Sequence, residues 1–418
     1  MQASVAHPTR PAIGAKELVF LLALLQALQA LAIDVMLPAL GVISQDLGVT
    51  SANHRQLIIG IFLLSGGIGA LLPGALADRF GRRKVLAGAL ILYIVTALGC
   101  ALVRDFNSLL VMRALQGFGC AGLAVIPPAI IRDRFEGDRM AKLQSLIQMI
   151  FMLVPMLAPS LGQAILIYAN WRWIFAIMAL LAALVSAWAY LRLPETLHPE
   201  FRQSIEPRTI LANMGNVLTT RSSIGYVLGS ALMMSATWGY INSSQQLLAE
   251  HFGAGARFPL IFGGMALAIA LASLTNSRIV ERFGARRVSH AATITFIAAA
   301  AVQVLMAFAP HETLWQFLAV MSVNLCLIGF TGANFSSIAL QPFARTAGAA
   351  ASVQTFLRMV IASTIGSLIG QAYDGSARPL ALALLIAGIC TLGLVLFSEH
   401  GKLFRRLYPA GTPRESNW

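Results

Sequence analysis

Runs of mostly apolar residues follow one another along nearly the whole chain, parted by short polar breaks. A helix needs about 20 such residues to cross roughly 30 Å of hydrocarbon. About twelve runs reach that length, over 18–40, 54–76, 85–103, 108–131, 141–168, 173–192, 223–248, 258–277, 288–309, 314–340, 348–372 and 379–398. Their lengths and their frequent Gly and Ala are helical, and the roughly ten-residue alternation of an outer-membrane barrel is missing. The pattern predicts an all-α polytopic membrane protein with 12 transmembrane helices. The longest polar interval, 193–222, follows the sixth run and carries Pro194, Pro199, Pro207 and mixed charge. It reads as a linker between an N-terminal six-helix half, 1–192, and a C-terminal half, 223–418.

Composition agrees, since 57% apolar residues and a mean hydropathy of +0.74 lie outside the soluble range. Charge adds a direction. The net +13 is sorted by side: with the N-terminus inside, 23 of the 30 Lys and Arg fall in inner segments, five outside (Arg55, Arg104, Arg172, Arg257, Arg378) and two within helices (Arg113, Arg358). The positive-inside rule then places both termini in the cytoplasm. It accounts for the basic balance without nucleic acid; the lipid bilayer is the partner implied. The first seventeen residues lack an apolar core ended by small residues, so the first helix is expected to stay in the protein. Cys100, Cys120, Cys326 and Cys390 have no paired or metal-ligand spacing and read as free core thiols. Trp171 and Trp173, at the outer end of the sixth run, read as interfacial anchors.

Two stretches repeat each other, GALADRFGRRKV from Gly74 and SRIVERFGARRV from Ser277. Both connect the second and third helices of their own half, and both carry the order acid, Arg, Phe, Gly, x, Arg: Asp78, Arg79, Phe80, Gly81 and Arg83, then Glu281, Arg282, Phe283, Gly284 and Arg286. Attraction of arginine to inside loops explains the basic residues but not the order. Asp78 can accept charge-assisted hydrogen bonds from Arg79, Arg82 or a helix end, and Gly81 permits a tight turn. The echo is imperfect: Ser277 replaces Gly74, Arg278 replaces Ala75, Glu281 replaces Asp78 and Ala285 replaces Arg82. An unequal pair of gates follows, the first loop latched more tightly.

On these residues the chain resembles the major facilitator superfamily, and within it the twelve-helix drug:proton antiporters of the Bcr/CflA multidrug efflux group. The stretch Gly74–Lys84 matches the motif G-x-L-a-D-R-x-G-R-[RK]-[RK]. The resemblance implies a cytoplasmic gate made of Gly74, Asp78, Arg79, Gly81, Arg82 and Arg83, with Glu281 and Arg282 in the echo. RALQGFGCAG, from Arg113, is similar to the family's R-x-x-Q-G-x-G motif. An arginine inside a membrane segment is expensive and faces a cavity or an acid. In MLVPMLAPSLGQAIL, Pro155, Pro159 and Gly162 share one helical face and resemble the antiporter motif G-x-x-x-G-P-x-x-G-G. Here Ala158 stands at a glycine position and Gln163 replaces the last glycine.

Asp34, in QALQALAIDVMLPAL, is the one acid deep in an apolar run. Burial in low dielectric penalises the charged form of a carboxylate, so a group placed there can take up and release a proton. Gln26 and Ala30 share its face, and the D-x-x-L-P setting resembles the first-helix acid of the family, which implies proton coupling. TWGYINSSQQ, in the seventh run, carries Trp238, Tyr240, Asn242, Ser243, Gln245 and Gln246, more polar groups than lipid contact tolerates. Of these, Trp238, Tyr240, Asn242 and Gln245, with Gln26, Arg113, Asn334 and Arg358, are expected to line a substrate cavity, and Asn324 resembles Asn334 in its setting. Arg358 departs from the group, which more often has a Gln there. Two embedded arginines against one aspartate make lipophilic cations poorer substrates than neutral, zwitterionic or anionic compounds.

The expected function is proton-coupled export of small amphipathic drug-like compounds across the bacterial inner membrane by alternating access, with protons and a small-molecule substrate as partners and a monomer as the working form. An uptake symporter or metabolite permease on the same fold stays open, because the antiporter motif is incomplete. A sensor or scaffold would leave Asp34 and the duplicated loops without a role. Signatures of nucleotide hydrolysis (G-x-x-x-x-G-K-[ST]), zinc proteolysis (H-E-x-x-H) and serine hydrolysis (G-x-S-x-G) are missing; the expectation is no enzyme, no metal and no cofactor beyond the proton gradient.

Overall fold

The computed structural model describes residues 13–51, 53–135, 137–197, 200 and 207–405. They form α1 (Ala15–Asp34), α2 (Leu40–Asp46), α3 (Leu57–Gly69), α4 (Leu72–Phe80), α5 (Arg82–Leu102), α6 (Phe106–Arg134), α7 (Gly137–Tyr168), α8 (Arg172–Arg192), α9 (Pro207–Thr219), α10 (Arg221–Ser244), α11 (Phe258–Phe283), α12 (Ala285–Ala307), α13 (Leu314–Leu340), α14 (Ala347–Gln371) and α15 (Arg378–Ser398). No strand occurs among the described residues. This is what lipid demands, because every backbone donor and acceptor must be satisfied inside the segment. Among the described residues nine helices are long and apolar enough to span a membrane, or ten if the pair 54–69 and 72–80, bent by 45°, counts as one. The two remaining apolar runs are α7, whose apolar part is Leu153–Tyr168, and α10, whose hydropathy is diluted by Ser222, Ser223, Ser230, Ser235 and Asn242.

Three details depart from the simple twelve-run reading. The first run breaks after Asp34 and resumes through a 3-10 turn, Leu37–Ala39, into α2. The polar interval between the sixth and seventh runs contains α9, packed against α10 and α14. The seventh run ends in a π turn, Gln245–His251.

The chain divides into two compact units, Met1–Gly48 with Gly69–Ile205, and Val49–Ile68 with Glu206–Trp418. In the first, α1 packs on α6, α7 and α8, and α5 packs on α6 and α8. In the second, α10 packs on α13, α14 and α15, and α12 on α13 and α15. Lipid tails are as apolar as leucine, so small residues that let backbones approach do the work of association. A side chain on Gly122 would strike Ala89, one on Gly119 would crowd Leu92, and one on Gly225 would strike the Leu394 carbonyl. Cys100 and Cys120 are buried as expected, whereas Cys326 is half-buried and Cys390 is exposed, so the latter is no core thiol. Trp173 is exposed, but Trp171 is buried and donates to Asp46 (3.0 Å). A turn that brings Trp171 under α2 makes it a packing residue rather than an interfacial anchor.

Candidate functional site

Asp34 is the last residue of α1 and is 4% exposed. Among the described residues its carboxyl has no ion pair or hydrogen bond. The last carbonyls of any helix lack intrahelical donors, and Arg113 of α6 supplies one: a terminal guanidinium nitrogen lies 3.1 Å from the Ala32 carbonyl, and the other lies 2.6 Å from Gln116 Oε1. A cation suits that helix end. Tyr93 of α5 donates to the Leu28 carbonyl (3.1 Å), one turn earlier. Gln26 is buried on the same helix, and among the described residues its Oε1 has no hydrogen-bond partner. On the other side α7 brings Gly162 against the Val35 carbonyl, where any side chain would collide. Pro159 and Ala158 are buried beside it, with Pro155 half-buried a turn away. The structure therefore gathers Asp34, Arg113 and Gly162 around one helix break, with Gln26 two turns earlier on α1.

The first gate loop turns at Gly81, which has φ +98°, a backbone region that L side chains avoid. Asp78 pairs with Arg82 (2.6 Å), and Arg82 pairs in turn with Asp133 at the end of α6 (3.0 Å). The Arg82 side chain is 6% exposed. Glu195, beyond α8, accepts from the backbone N–H of Arg82 (2.9 Å) and of Arg83 (3.2 Å). That caps the start of α5, where a carboxylate also meets the positive end of the helix dipole. Arg83 donates to the Tyr190 carbonyl (2.7 Å), and Arg79 lies over Phe80. Gly74 sits in α4 near Val125 of α6.

The second loop repeats the turn at Gly284, φ +86°, with different partners. Arg286 reaches Glu399 (2.7 Å) and Gln341 (2.9 Å). Glu399 also accepts from Tyr226 (2.6 Å), whose hydroxyl lies 2.9 Å from His290 Nε2. The Phe404 N–H donates to His290 Nδ1 (3.0 Å), so the imidazole proton sits on Nε2 and points along the chain of bonds toward Glu399. Burial pushes the Glu399 carboxyl up, but the hydrogen bonds from Tyr226 and Arg286 and the charge of Arg286 prevail and hold it below the usual carboxylate range. Arg282 lies over Phe283. The side chain of Glu281 lies outside the described residues.

The remaining candidates lie in the second unit, in several separate places. Trp238, Asn242 and Gln245 are buried on α10 and the π turn. Trp238 meets Gly366 of α14 with no room for a larger residue there, and Asn242 donates to the Trp238 carbonyl (2.8 Å). Tyr240 faces α11, bonded to the Met265 sulfur and stacked on Phe262. Asn334 of α13 bonds Asn276 of α11 (2.9 Å). Arg358 of α14 reaches the Ser336 hydroxyl (3.2 Å). Asn324 is fully buried, and neither of its amide atoms has a partner among the described residues. Gln245 donates to Glu250 (3.0 Å), which pairs with Arg55 (2.6 Å). Arg55 is buried, and beside it Gln56 bonds Gln246 and Gln246 bonds Asn53 (3.2 Å).

Sequence reading missed Asp133, Glu195, Glu399, Tyr226, His290 and the Arg55–Glu250 pair. The repeat does not reveal the two loop acids, because at its 203-residue spacing Glu195 falls on Ser398, one position before Glu399.

The chain matches the Major Facilitator Superfamily model over residues 22–370. It is 31% identical over 360 residues to the uncharacterized MFS-type transporter YdgK of Bacillus subtilis (strain 168), covering 84% of this chain and 88% of that one. It is 26% identical over 382 residues to the bicyclomycin resistance protein homolog of Haemophilus influenzae, covering 90% and 93%. A crystal structure of a D-xylose-proton symporter has the same fold, with a TM-score of 0.72 at 14% identity over 92% of this chain and 98% of that one. The protein belongs to the major facilitator superfamily, whose members are multi-pass membrane transporters of small molecules rather than enzymes.

Proposed function

We propose that the protein exports small amphipathic, drug-like compounds across the bacterial inner membrane in exchange for protons, by alternating access. It works as a monomer with both termini in the cytoplasm, and the proton gradient is its energy source in place of a cofactor. The observation that carries this reading is the Asp34 carboxyl, 4% exposed and without an ionic partner among the described residues, at a break in α1. A proton there neutralises a charge that its surroundings leave uncompensated, and its loss restores that charge in a buried, low-dielectric setting. The antiporter face of α7 touches the same break through Gly162, which links the coupling residue to the motif associated with export. A relative named for bicyclomycin resistance supports the direction and the substrate class. A membrane potential of ~150 mV is worth roughly 3.5 kcal/mol per charge, enough for a gradient of a few hundredfold in a neutral substrate.

The test is a drug-susceptibility panel on cells expressing wild type or Asp34→Asn, with proton movement followed in proteoliposomes on addition of drug. Wild type is expected to confer resistance and to release protons, and the variant to do neither. Full proton-driven transport by Asp34→Asn overturns the reading, and increased susceptibility on expression of wild type reverses the direction.

A further inference from the structure

An apolar groove runs along the repeated loop in each unit. The first, of about 420 Å³, lies between α4, α5 and α6; the second, of about 460 Å³, lies between α11, α12 and α13. They are the same groove twice. Phe80 and Phe283, Lys84 and Arg287, and Gly88 and Ala291 line them in register, each pair 203 positions apart, as Gly74 and Ser277 are. Among the described residues Lys84 is the only charged one lining the first groove and Arg287 the only one lining the second. A second cation recurs in each, Arg79 over Phe80 at 5.2 Å and Arg282 over Phe283 at 5.4 Å. Phe80 and Phe283 are each 47% exposed.

We propose that the grooves are a matched pair of binding sites for anionic phospholipid, the phosphate resting on Lys84 in the first unit and on Arg287 in the second, with one acyl chain lying in each groove. The walls are apolar and open at the surface of the helices, so the occupant of the greasy part comes from the bilayer. The cations stand at the ends of helices in the loop region, at headgroup level, where basic pockets between membrane helices take lipid headgroups. Charge complementarity then selects an anionic lipid over a zwitterionic one. The repeat strengthens the assignment: Arg82 of the first loop becomes Ala285 in the second, yet the cation at the groove is kept. The Arg287 Nε is steadied by the Phe404 carbonyl (3.1 Å). Gly88 leaves the floor of the first groove open, since a Cβ there would meet nothing within 4 Å.

Native mass spectrometry of the full-length protein in detergent, with phosphatidylglycerol or phosphatidylcholine added, tests this. Two molecules of phosphatidylglycerol are expected to stay bound, phosphatidylcholine none. Lys84→Gln and Arg287→Gln should each remove one, and Gly88→Leu should empty the first groove with Lys84 intact. Inorganic phosphate should not displace the lipid, because a headgroup alone leaves the groove unfilled. Equal retention of both lipids, an unchanged count in the Lys84→Gln, Arg287→Gln double variant, or an unchanged count in Gly88→Leu overturns the proposal. If Gly88→Leu does not elute as a folded monomer on gel filtration, Lys84→Gln decides the first groove by itself.

Discussion

The carbonyl oxygen of Val35 fills the space that a side chain on Gly162 would need. Thus α7 meets the broken end of α1 backbone to backbone, one residue past Asp34. Gly162→Val is expected to lower stability by about 1–3 kcal/mol, the usual cost of overpacking, and to abolish proton-driven transport. Gly264→Ala is the control, since a Cβ there meets nothing within 4 Å. Thermal unfolding of the purified variants, read by tryptophan fluorescence, checks the first part, and proteoliposome flux checks the second.

The two gate loops should tolerate neutralisation unequally. Asp78 and Asp133 share Arg82, whereas the echo has Ala285 at that position and nothing to share. Arg82→Gln leaves two acids without their buried partner and should cost about 3 kcal/mol. Asp78 is 40% exposed, so Asp78→Asn should cost ~0.2–1 kcal/mol and slow transport a few-fold. Glu281→Gln is expected to do less. Transport rates of the three variants at matched expression give the order, and a slower Glu281→Gln than Asp78→Asn refutes the asymmetry.

Hydropathy located the spanning helices because lipid leaves the backbone no alternative to the helix. It could not locate their interruptions. The π turn at Gln245–His251 is a change of hydrogen-bond register among buried polar side chains such as Gln246 and Gln56, which no local pattern marks. Charges stood out wherever they were costly, so Asp34, Arg113 and Arg358 were legible. Partners were legible unevenly: Gln116, which accepts from Arg113, stands in the R-x-x-Q motif, whereas the Ala32 carbonyl is main chain, which every residue has, and Arg82 is held by acids 51 and 4 positions away, of which only the nearer belonged to a motif. Glu195 sits in a polar linker, where acids are common.

Acid should expose the Glu399 network. Its folded pKa is below the ordinary 4.5, so its contribution to stability is fully present above that value and is lost as pH falls through the folded value. The gap in unfolding midpoint between wild type and Glu399→Gln is therefore expected to be widest at neutral pH and to narrow below about pH 4.5. A gap that is constant down to pH 3 would show that the carboxylate charge contributes nothing there.

Arg358 bears on selectivity. It is a half-buried cation inside α14 that reaches the Ser336 hydroxyl at 3.2 Å. Arg358→Gln is expected to raise export of a cationic dye relative to a phenicol-like or acidic drug. An unchanged ratio in paired uptake assays would sink the idea.

Residues 49–68 come from the first six helices in the chain yet pack within the second unit, where Asn53 donates to the backbone carbonyls of Gln371 (2.9 Å) and Tyr373 (2.8 Å). The second unit is therefore assembled from two stretches that are distant in the chain. A gene fragment starting after the polar linker would encode Glu250 and Gln246 without Arg55, Gln56 and Asn53, the groups that complete their buried bonds. Its product would be missing an organ donated by the other fragment. Although the sequence is written as two copies, the second copy is not a self-sufficient folding message.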